Sequence, residues 1–187
     1  MTLRVDLIDI KKVDSNIKAS LLEWRNSDFI KYYSASDANI SEEQHFEWIS
    51  SAENCDNLKV FIVFFKNNAV GCVNLSNIDN FHKTAEFSFY LYPEKYTKIG
   101  LGAVIEYKIH EYAFVELGLE KLNIRVLENN PKVIQMHQKF GYKIEGILRK
   151  NIFKKGHRLD IYLMGIFKEE WDQAKKKLRI KINNEKQ

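Results

Sequence analysis

Along this chain apolar residues alternate with polar ones in some stretches and recur at spacings of three and four in others, so strands and helices separate by period alone. Alternation predicts strands over 2–10 (Leu3, Val5 and Leu7 on one face), 58–66, 70–78, 85–92, 121–128 (Leu122, Ile124, Val126), 142–151 and 158–167. Helical spacing appears over 15–33 through Ile17, Leu21, Leu22 and Trp24, with Asp14 or Ser15 as cap and a break near Asp28. A second helix follows Ser41-Glu42-Glu43-Gln44, a capping box, and carries Phe46, Trp48 and Ile49. Asn130 and Pro131 open another helix that Gly141 closes, and 169–181 has Trp171, Ala174 and Leu178 on one side with lysines on the other. Turns fall at 66–69, 79–82 and 154–156. The order β-α-α-β-β-β-α-β-α-β-β plus a terminal helix predicts an α+β fold, with helices flanking one mixed, mostly antiparallel sheet of about seven strands. A single domain over 1–168 is expected, with a basic amphipathic helix and tail over 169–187.

The period changes most sharply over 86–117. Ala85, Phe87, Phe89 and Leu91 share one face of a strand and Glu86, Ser88, Tyr90 and Tyr92 the other; Pro93 ends it, and from Gly100 onward Leu101, Val104, Ile105, Ile109, Tyr112 and Ala113 form one face of a helix of about 18 residues. Gly100 and Gly102 stand at the mouth of that helix. Free backbone N–H groups there, with the positive end of the helix dipole behind them, suit an anion such as a pyrophosphate, and glycine admits it close to the backbone. A dinucleotide-binding turn would have a third glycine where Ile105 stands, and a Walker loop would need Gly-Lys-Ser/Thr, which is absent.

Composition changes this picture little. The 187 residues suffice for one domain with a real core, and 45% apolar with 29% charged content is that of an ordinary globular protein. Nine Tyr and twelve Phe suggest an aromatic core or cleft. A net charge of +4, gathered toward the C-terminal end, is too small to imply nucleic acid. There is neither a membrane-length apolar run nor the basic-then-apolar layout of a secretion signal, so a cytoplasmic protein without membrane insertion is expected. Cys55 and Cys72 lack metal-ligand spacing and read as reduced, incidental thiols, and no metal is expected.

Thr97-Lys98-Ile99-Gly100-Leu101-Gly102 resembles the (Gln/Arg)-x-x-Gly-x-(Gly/Ala) turn with which GNAT-superfamily acetyltransferases hold the pyrophosphate of acetyl-CoA, with Thr97 in the place of Gln or Arg. The stretch 122–146 resembles the family's second motif, Asn-x-x-(Ser/Ala)-x-x-x-Tyr-x-x-x-Gly-Phe: Asn130 and Gly141 are in register, Tyr142 stands for Phe, Val133 for the small residue and His137 for Tyr. The resemblance implies acetyl-CoA as co-substrate, held by Leu91, Tyr92, Thr97, Lys98, Gly100, Gly102, Ala103 and Asn130. It also implies His137 as the acid that protonates the departing thiolate, a task for which imidazolium is better suited than phenol near neutral pH; the alternative is a packed histidine without a chemical role.

Trp24-Arg25-Asn26 and the stretch 40–49 resemble the amino-sugar N-acetyltransferases of pseudaminic acid biosynthesis, which acetylate the 4-amine of UDP-4-amino-4,6-dideoxy-N-acetyl-altrosamine. That resemblance implies a nucleotide-linked amino sugar as acceptor, with Arg25 and His45 facing the nucleotide, Ser76 and Asn77 helping, Trp48 near the uracil or sugar, and Tyr90 on the same side. A dianionic diphosphate needs cationic or N–H donors and a flat base needs a planar partner. The alternative for each tryptophan is a core anchor. Transfer would be direct, with a backbone N–H near Leu91 holding the oxyanion and Glu86, on the polar face of its strand, as base; a merely solvent-facing Glu86 is the competing reading. Two further readings stay open. The stretch 80–87 and that ending at Glu145-Gly146 also resemble spermidine and ribosomal-protein acetyltransferases, for which Glu42, Glu43 and Glu47 would supply carboxylates; a catalytically silent acyl-CoA-binding domain is the other. A homodimer is the assembly considered.

Overall fold

The computed structural model describes residues 4–178. Its strands are β1 (Val5–Asp9), β2 (Lys59–Phe65), β3 (Asn68–Asp79), β4 (Thr84–Leu91), β5 (Lys121–Leu127), β6 (Lys143–Lys154) and β7 (His157–Phe167). Its helices are α1 (Ser15–Asn26), α2 (Asp28–Tyr33), α3 (Glu42–Asn54), α4 (Leu101–Glu111), α5 (Pro131–Phe140) and α6 (Lys168–Lys177). The strands form one sheet in the order β1-β2-β3-β4-β5-β7-β6, antiparallel throughout except for the central pair β4 and β5.

Local chemistry explains the boundaries. Asp14 Oδ1 accepts from the Ile17 amide at 3.0 Å to start α1, and Ser27 both receives the end of α1 and caps α2, which is the break expected near Asp28. The capping box at Ser41 forms, Gln44 Oε1 accepting from the Ser41 amide at 3.0 Å. The tight turns after β2 and β6 place Lys66, Asn67, Lys155 and Gly156 at positive φ, as two-residue hairpins require. β6 runs three residues beyond the expected end at Asn151, because a bulge around Lys150 (φ 52°) restores its pairing with β7.

Alternation sends the sheet's side chains to two cores. On one face α4, α5 and α6 cover Phe65, Val73, Leu75, Phe87, Leu91, Leu122, Ile124 and Ile166; on the other, α1 and α3 cover Val60, Ile62 and Cys72 with Leu21, Trp24 and Ile49. The long helix from Gly100 is α-helical to Glu111 and widens into a π-helical turn over Tyr112–Glu116 before Gly118, at φ 64°.

The terminal helix joins the first core. Trp171 is fully buried, lies parallel to Phe140 (2°, 6.0 Å) and donates from Nε1 to Glu111 Oε1 at 2.6 Å. This makes α6 part of the domain core, whereas the amphipathic pattern alone suggested an appended helix. The remainder of that expected helix, from residue 179, lies outside the described residues. No helix of the described residues is long and apolar enough to cross a membrane.

Candidate active site

The site begins where the two parallel strands part. β4 and β5 pair only from Thr84↔Lys121 to Glu86↔Asn123, although β4 continues to Leu91 and β5 to Leu127. Beyond Glu86, β4 is paired on its β3 side alone. Tyr92 donates its amide to Val70 O at 2.8 Å, and amide directions alternate along a strand, so the Leu91 N–H turns away from β3 into the opening. Gly71 makes this path feasible: a Cβ there would lie 2.3 Å from the Tyr90 carbonyl oxygen.

The first turn of α4 faces the same opening. Gly100 precedes it in the left-handed region (φ 87°) and no side chain caps the helix, so its leading amides are free for a ligand. A Cβ at Gly102 would sit 3.4 Å from the Phe89 ring and 3.5 Å from Met136 Sδ, ordinary contact distances, so the protein's own packing does not demand glycine there. Thr97 and Lys98 belong to a short 3-10 turn: the Thr97 hydroxyl donates to Glu94 O at 2.8 Å, and Lys98 pairs with Glu94 at 2.7 Å on the surface. Both side chains are therefore engaged locally, and what α4 offers at its start is backbone amides without a side-chain cap. Asn130 occupies the cap position of α5, but only its carbonyl is used, accepting from Val133 and Ile134; its side chain makes no cap bond, contrary to the expected role. The amide group is thereby left available to a ligand. Ala103, next along α4, is half-buried, Leu91 is buried, and Tyr92 stacks on Trp24 at 5.8 Å.

The other face of the sheet holds a cavity of about 560 Å³, lined by Arg25, Lys31, Ser34, Ser36, Ala38, Asn39, Ile40, Gln44, His45, Trp48, Asn74, Ser88 and Tyr90. It thus gathers Arg25, His45, Trp48 and Tyr90 from elements far apart in sequence. Arg25 lies over the Tyr90 ring at 5.7 Å, and among the described residues no carboxylate pairs with it. His45 Nε2 bonds to Lys18 O at 2.8 Å; a carbonyl can only accept, so this nitrogen carries the proton. The His45 ring stacks on Trp48 at 6.1 Å and 28°. Burial pushes the Tyr90 hydroxyl well up, and the buried Cys72 thiol beneath it to about 12, so both stay protonated.

Three expected residues fall outside the cavity wall. Ser76 and Asn77 lie further along β3, where Asn77 takes φ 51° in a bulge and is exposed; Asn74 and Ser88 take the expected place. Glu86 is half-buried on the same face of β4 as Ser88 and Tyr90 but stops short of the lining. Asn74 could have been found from its alternation with Ser76, whereas the 34–40 wall of the cavity carries no periodic signal.

That wall is tied down from several directions. Asn26 makes two hydrogen bonds with Ile40, donating from Nδ2 to its carbonyl at 2.9 Å and accepting at Oδ1 from its amide at 2.8 Å. Lys31 Nζ bonds to Asn39 Oδ1, and Asn129 Nδ2 donates to Tyr32 O at 2.9 Å.

His137 lies on the first face, 4% exposed, with Nδ1 2.8 Å from Oε1 of Glu106 on α4. Its ring is edge-on to Phe87 at 6.2 Å and to Tyr142 at 5.2 Å. Phe87 directly follows Glu86, the last residue of β4 paired with β5, so His137 stands over the point where the opening starts. Burial raises the Glu106 carboxyl above the ordinary carboxylate value, an effect that the His137 ring opposes. His110, one turn along α4 and fully buried, is pushed down to about 3 by burial and is neutral. Among the described residues no group of three or more His, Cys, Asp or Glu is placed to hold a metal ion.

An uncapped helix mouth and parted strands with an inward amide, with a cavity across the sheet, are what an acyl-CoA-dependent transferase needs. The chain belongs to the GNAT acetyltransferase family: residues 10–163 match the model described as Acetyltransferase (GNAT) domain. It is an N-acetyltransferase whose co-substrate is acetyl-CoA, as its membership of this family and its N-acetyltransferase relatives show. Over 127 residues it is 32% identical to the SPbeta prophage-derived uncharacterized N-acetyltransferase YokL of Bacillus subtilis, covering 67% of this chain and 71% of that protein. It is 26% identical over 140 residues to the acetyltransferase PseH of Campylobacter jejuni, covering 75% of this chain and 85% of that one. The structure of spermidine N-acetyltransferase from Vibrio cholerae in complex with CoA and spermine superposes with a TM-score of 0.80 at 23% identity, covering 89% of this chain and 97% of that one.

Proposed function

We propose that the acceptor is the amine of a nucleotide-linked amino sugar, of the kind acetylated in pseudaminic acid biosynthesis. The observation that carries this reading is the charge of the cavity: Arg25 and Lys31 line it and no carboxylate does. A diphosphate is held by such a wall, whereas a polyamine, itself cationic, is repelled by it. Glu42, Glu43 and Glu47, the carboxylates a polyamine site would use, sit on the exposed side of α3, while Gln44, His45 and Trp48 face the cavity. In this reading Arg25 pairs with the diphosphate, Nδ1 of His45 meets a sugar or ribose hydroxyl, and Trp48 offers its ring to the base. The resemblance to PseH supports the same acceptor.

The amine reaches the thioester through the parted strands and attacks its carbonyl carbon directly. The amides of Leu101, Gly102 and Ala103 hold the pyrophosphate of acetyl-CoA with Asn130 beside them, and the Leu91 N–H donates to the oxyanion. His137 gives a proton to the departing sulfur. Glu86, two residues from Ser88 on the same strand face and about 7 Å along it, takes the amine's proton through one water.

The test is thiol release from acetyl-CoA with UDP- and dTDP-linked amino sugars, spermidine, and a peptide with N-terminal Ala or Ser. Turnover of a nucleotide amino sugar alone is expected. Turnover of spermidine or peptide instead overturns this acceptor, and acetyl-CoA binding with silence across the panel makes the domain an acyl-CoA binder without catalysis.

A further inference from the structure

We infer that Glu106 is a positioning residue for acetyl transfer, holding the His137 ring through Nδ1 with Nε2 presented to the leaving sulfur. The inference rests on the acid role given to His137 above.

Glu106 is the one buried carboxylate on its helix. Leu101, Val104, Ile105 and Ile109 make the buried face of α4 apolar, yet Glu106 is fully buried within it and its Oε2 has no partner. A carboxylate placed so is costly unless a cation answers it, and an apolar residue of similar volume would pack the helix without that cost. The group that answers it is His137 Nδ1 at 2.8 Å. His137 Nε2 makes no bond within the described residues and, unlike His110 Nε2, is not sealed from solvent. The other polar groups around the ring, His110 and Tyr142, are buried and leave their own Nε2 and hydroxyl unpartnered, so neither competes for Nε2 of His137. Tyr142 remains a neutral phenol, since burial raises it well above its ordinary value.

The pair lies at the cleft. Phe87 joins it to the point where β4 and β5 separate, and Met136, beside His137, faces Gly102 in the first turn of α4. During transfer the N–C bond forms, the C–S bond breaks and its electron pair leaves on sulfur. The Nε2 proton of His137 passes to that sulfur while Nδ1–H stays on Glu106. The proton lost by the amine passes through water and Glu86 to solvent, from which Nε2 of His137 regains one. A neutral amide at position 106 still accepts from Nδ1 but places no negative charge beside the ring.

The experiment compares the full chain with Glu106→Gln, His137→Tyr, the double variant and His137→Phe, measuring kcat and the KM for acetyl-CoA with whichever acceptor turns over, and acetyl-CoA binding by calorimetry. Glu106→Gln is expected to lower kcat by about 10-fold or more, within the range general acids contribute, with the KM for acetyl-CoA changed less than about twofold. In the His137→Tyr background the same substitution should leave kcat within about twofold, since a phenol has no second nitrogen for Glu106 to hold. An unchanged kcat in Glu106→Gln, or an equal loss in both backgrounds, overturns the inference and reduces Glu106 to packing. If Glu106→Gln loses acetyl-CoA binding, Glu106→Met, of similar length, replaces it with the same expectations. His137→Phe separates the two levels: an unchanged kcat there removes the acid role itself, whereas a low kcat beside a fully active Glu106→Gln removes only the part given to Glu106.

Discussion

Lys154 Nζ donates to the carbonyl oxygen of Ser34 at 2.7 Å across 120 residues of sequence, and also reaches the carbonyls of Tyr32 at 3.2 Å and Lys31. The lysine is 6% exposed. Its ammonium therefore closes the C-terminal end of α2, where free carbonyls and the negative end of the dipole favour a cation, and it pins the start of the loop that walls the acceptor cavity to the β6–β7 hairpin. Lys154→Met removes this donor and leaves the Ser34 carbonyl without its partner, while Lys31 O still accepts from the Ser34 amide and Tyr32 O from Asn129. The expected cost is about 1–3 kcal/mol, or roughly 2–12 °C in Tm for a chain of this size. The KM for the acceptor should rise while that for acetyl-CoA is unchanged. A variant with wild-type Tm and wild-type acceptor KM would show that the hairpin does not hold the loop.

Arg25 faces the cavity above Tyr90 with no acidic partner among the described residues. Arg25→Ala should raise the KM for a nucleotide amino sugar by about 10- to 100-fold, the equivalent of the 1.5–3 kcal/mol of a charge-assisted hydrogen bond. Steady-state kinetics at saturating acetyl-CoA measure it, and an unaltered KM would remove Arg25 from the acceptor site.

At Gly71 the backbone of β4 comes too close for a side chain, the added Cβ lying 2.3 Å from Tyr90 O and 3.0 Å from Leu91 Cδ2. Gly71→Ala forces β3 and β4 apart beside the Leu91 amide. We expect a loss of about 1–3 kcal/mol, as for other overpacked core positions, and a kcat lowered by misplacement of that donor. Denaturant unfolding and kcat on the same preparation test the pair of effects. Unchanged values of both would mean that the strands yield without cost.

His110 makes stability dependent on pH. In the unfolded chain its ring takes a proton at its ordinary value of 6.5; in the fold, desolvation lowers this to about 3, with the bond from Nδ1 to Glu106 O opposing the shift. A depressed folded value means that the unfolded state binds the proton first, so His110's contribution is complete above pH about 6.5 and is lost as pH falls toward 3, at up to about 1.4 kcal/mol per pH unit. His110→Phe should flatten the acid side of the stability profile by up to that slope. Urea midpoints from pH 5 to pH 7.5 read it, and parallel profiles for both proteins would contradict the assignment.

The sequence by itself determined the order of the elements and the helix mouth at Gly100. Periods of 2 and 3.6, caps such as Asp14 and Ser41, and the hairpin residues Lys66, Asn67, Lys155 and Gly156 are encoded by neighbours along the chain, so they can be read without a third dimension. Arg25, His45 and Trp48 were legible as types suited to an anionic, planar ligand, and the cavity gathers all three. Tertiary structure alone decided what depends on contacts between distant segments. Nothing near Asn77 announces the bulge that hands its expected place to Asn74 and Ser88, and a buried Trp171 looks in sequence like any apolar position of an amphipathic helix. Glu106 and His137 are 31 residues apart, and Lys154 and Ser34 are 120. Their pairing exists only because the sheet brings α4 to α5 and the β6–β7 hairpin to α2, where burial makes a hydrogen bond matter far more than it would in water.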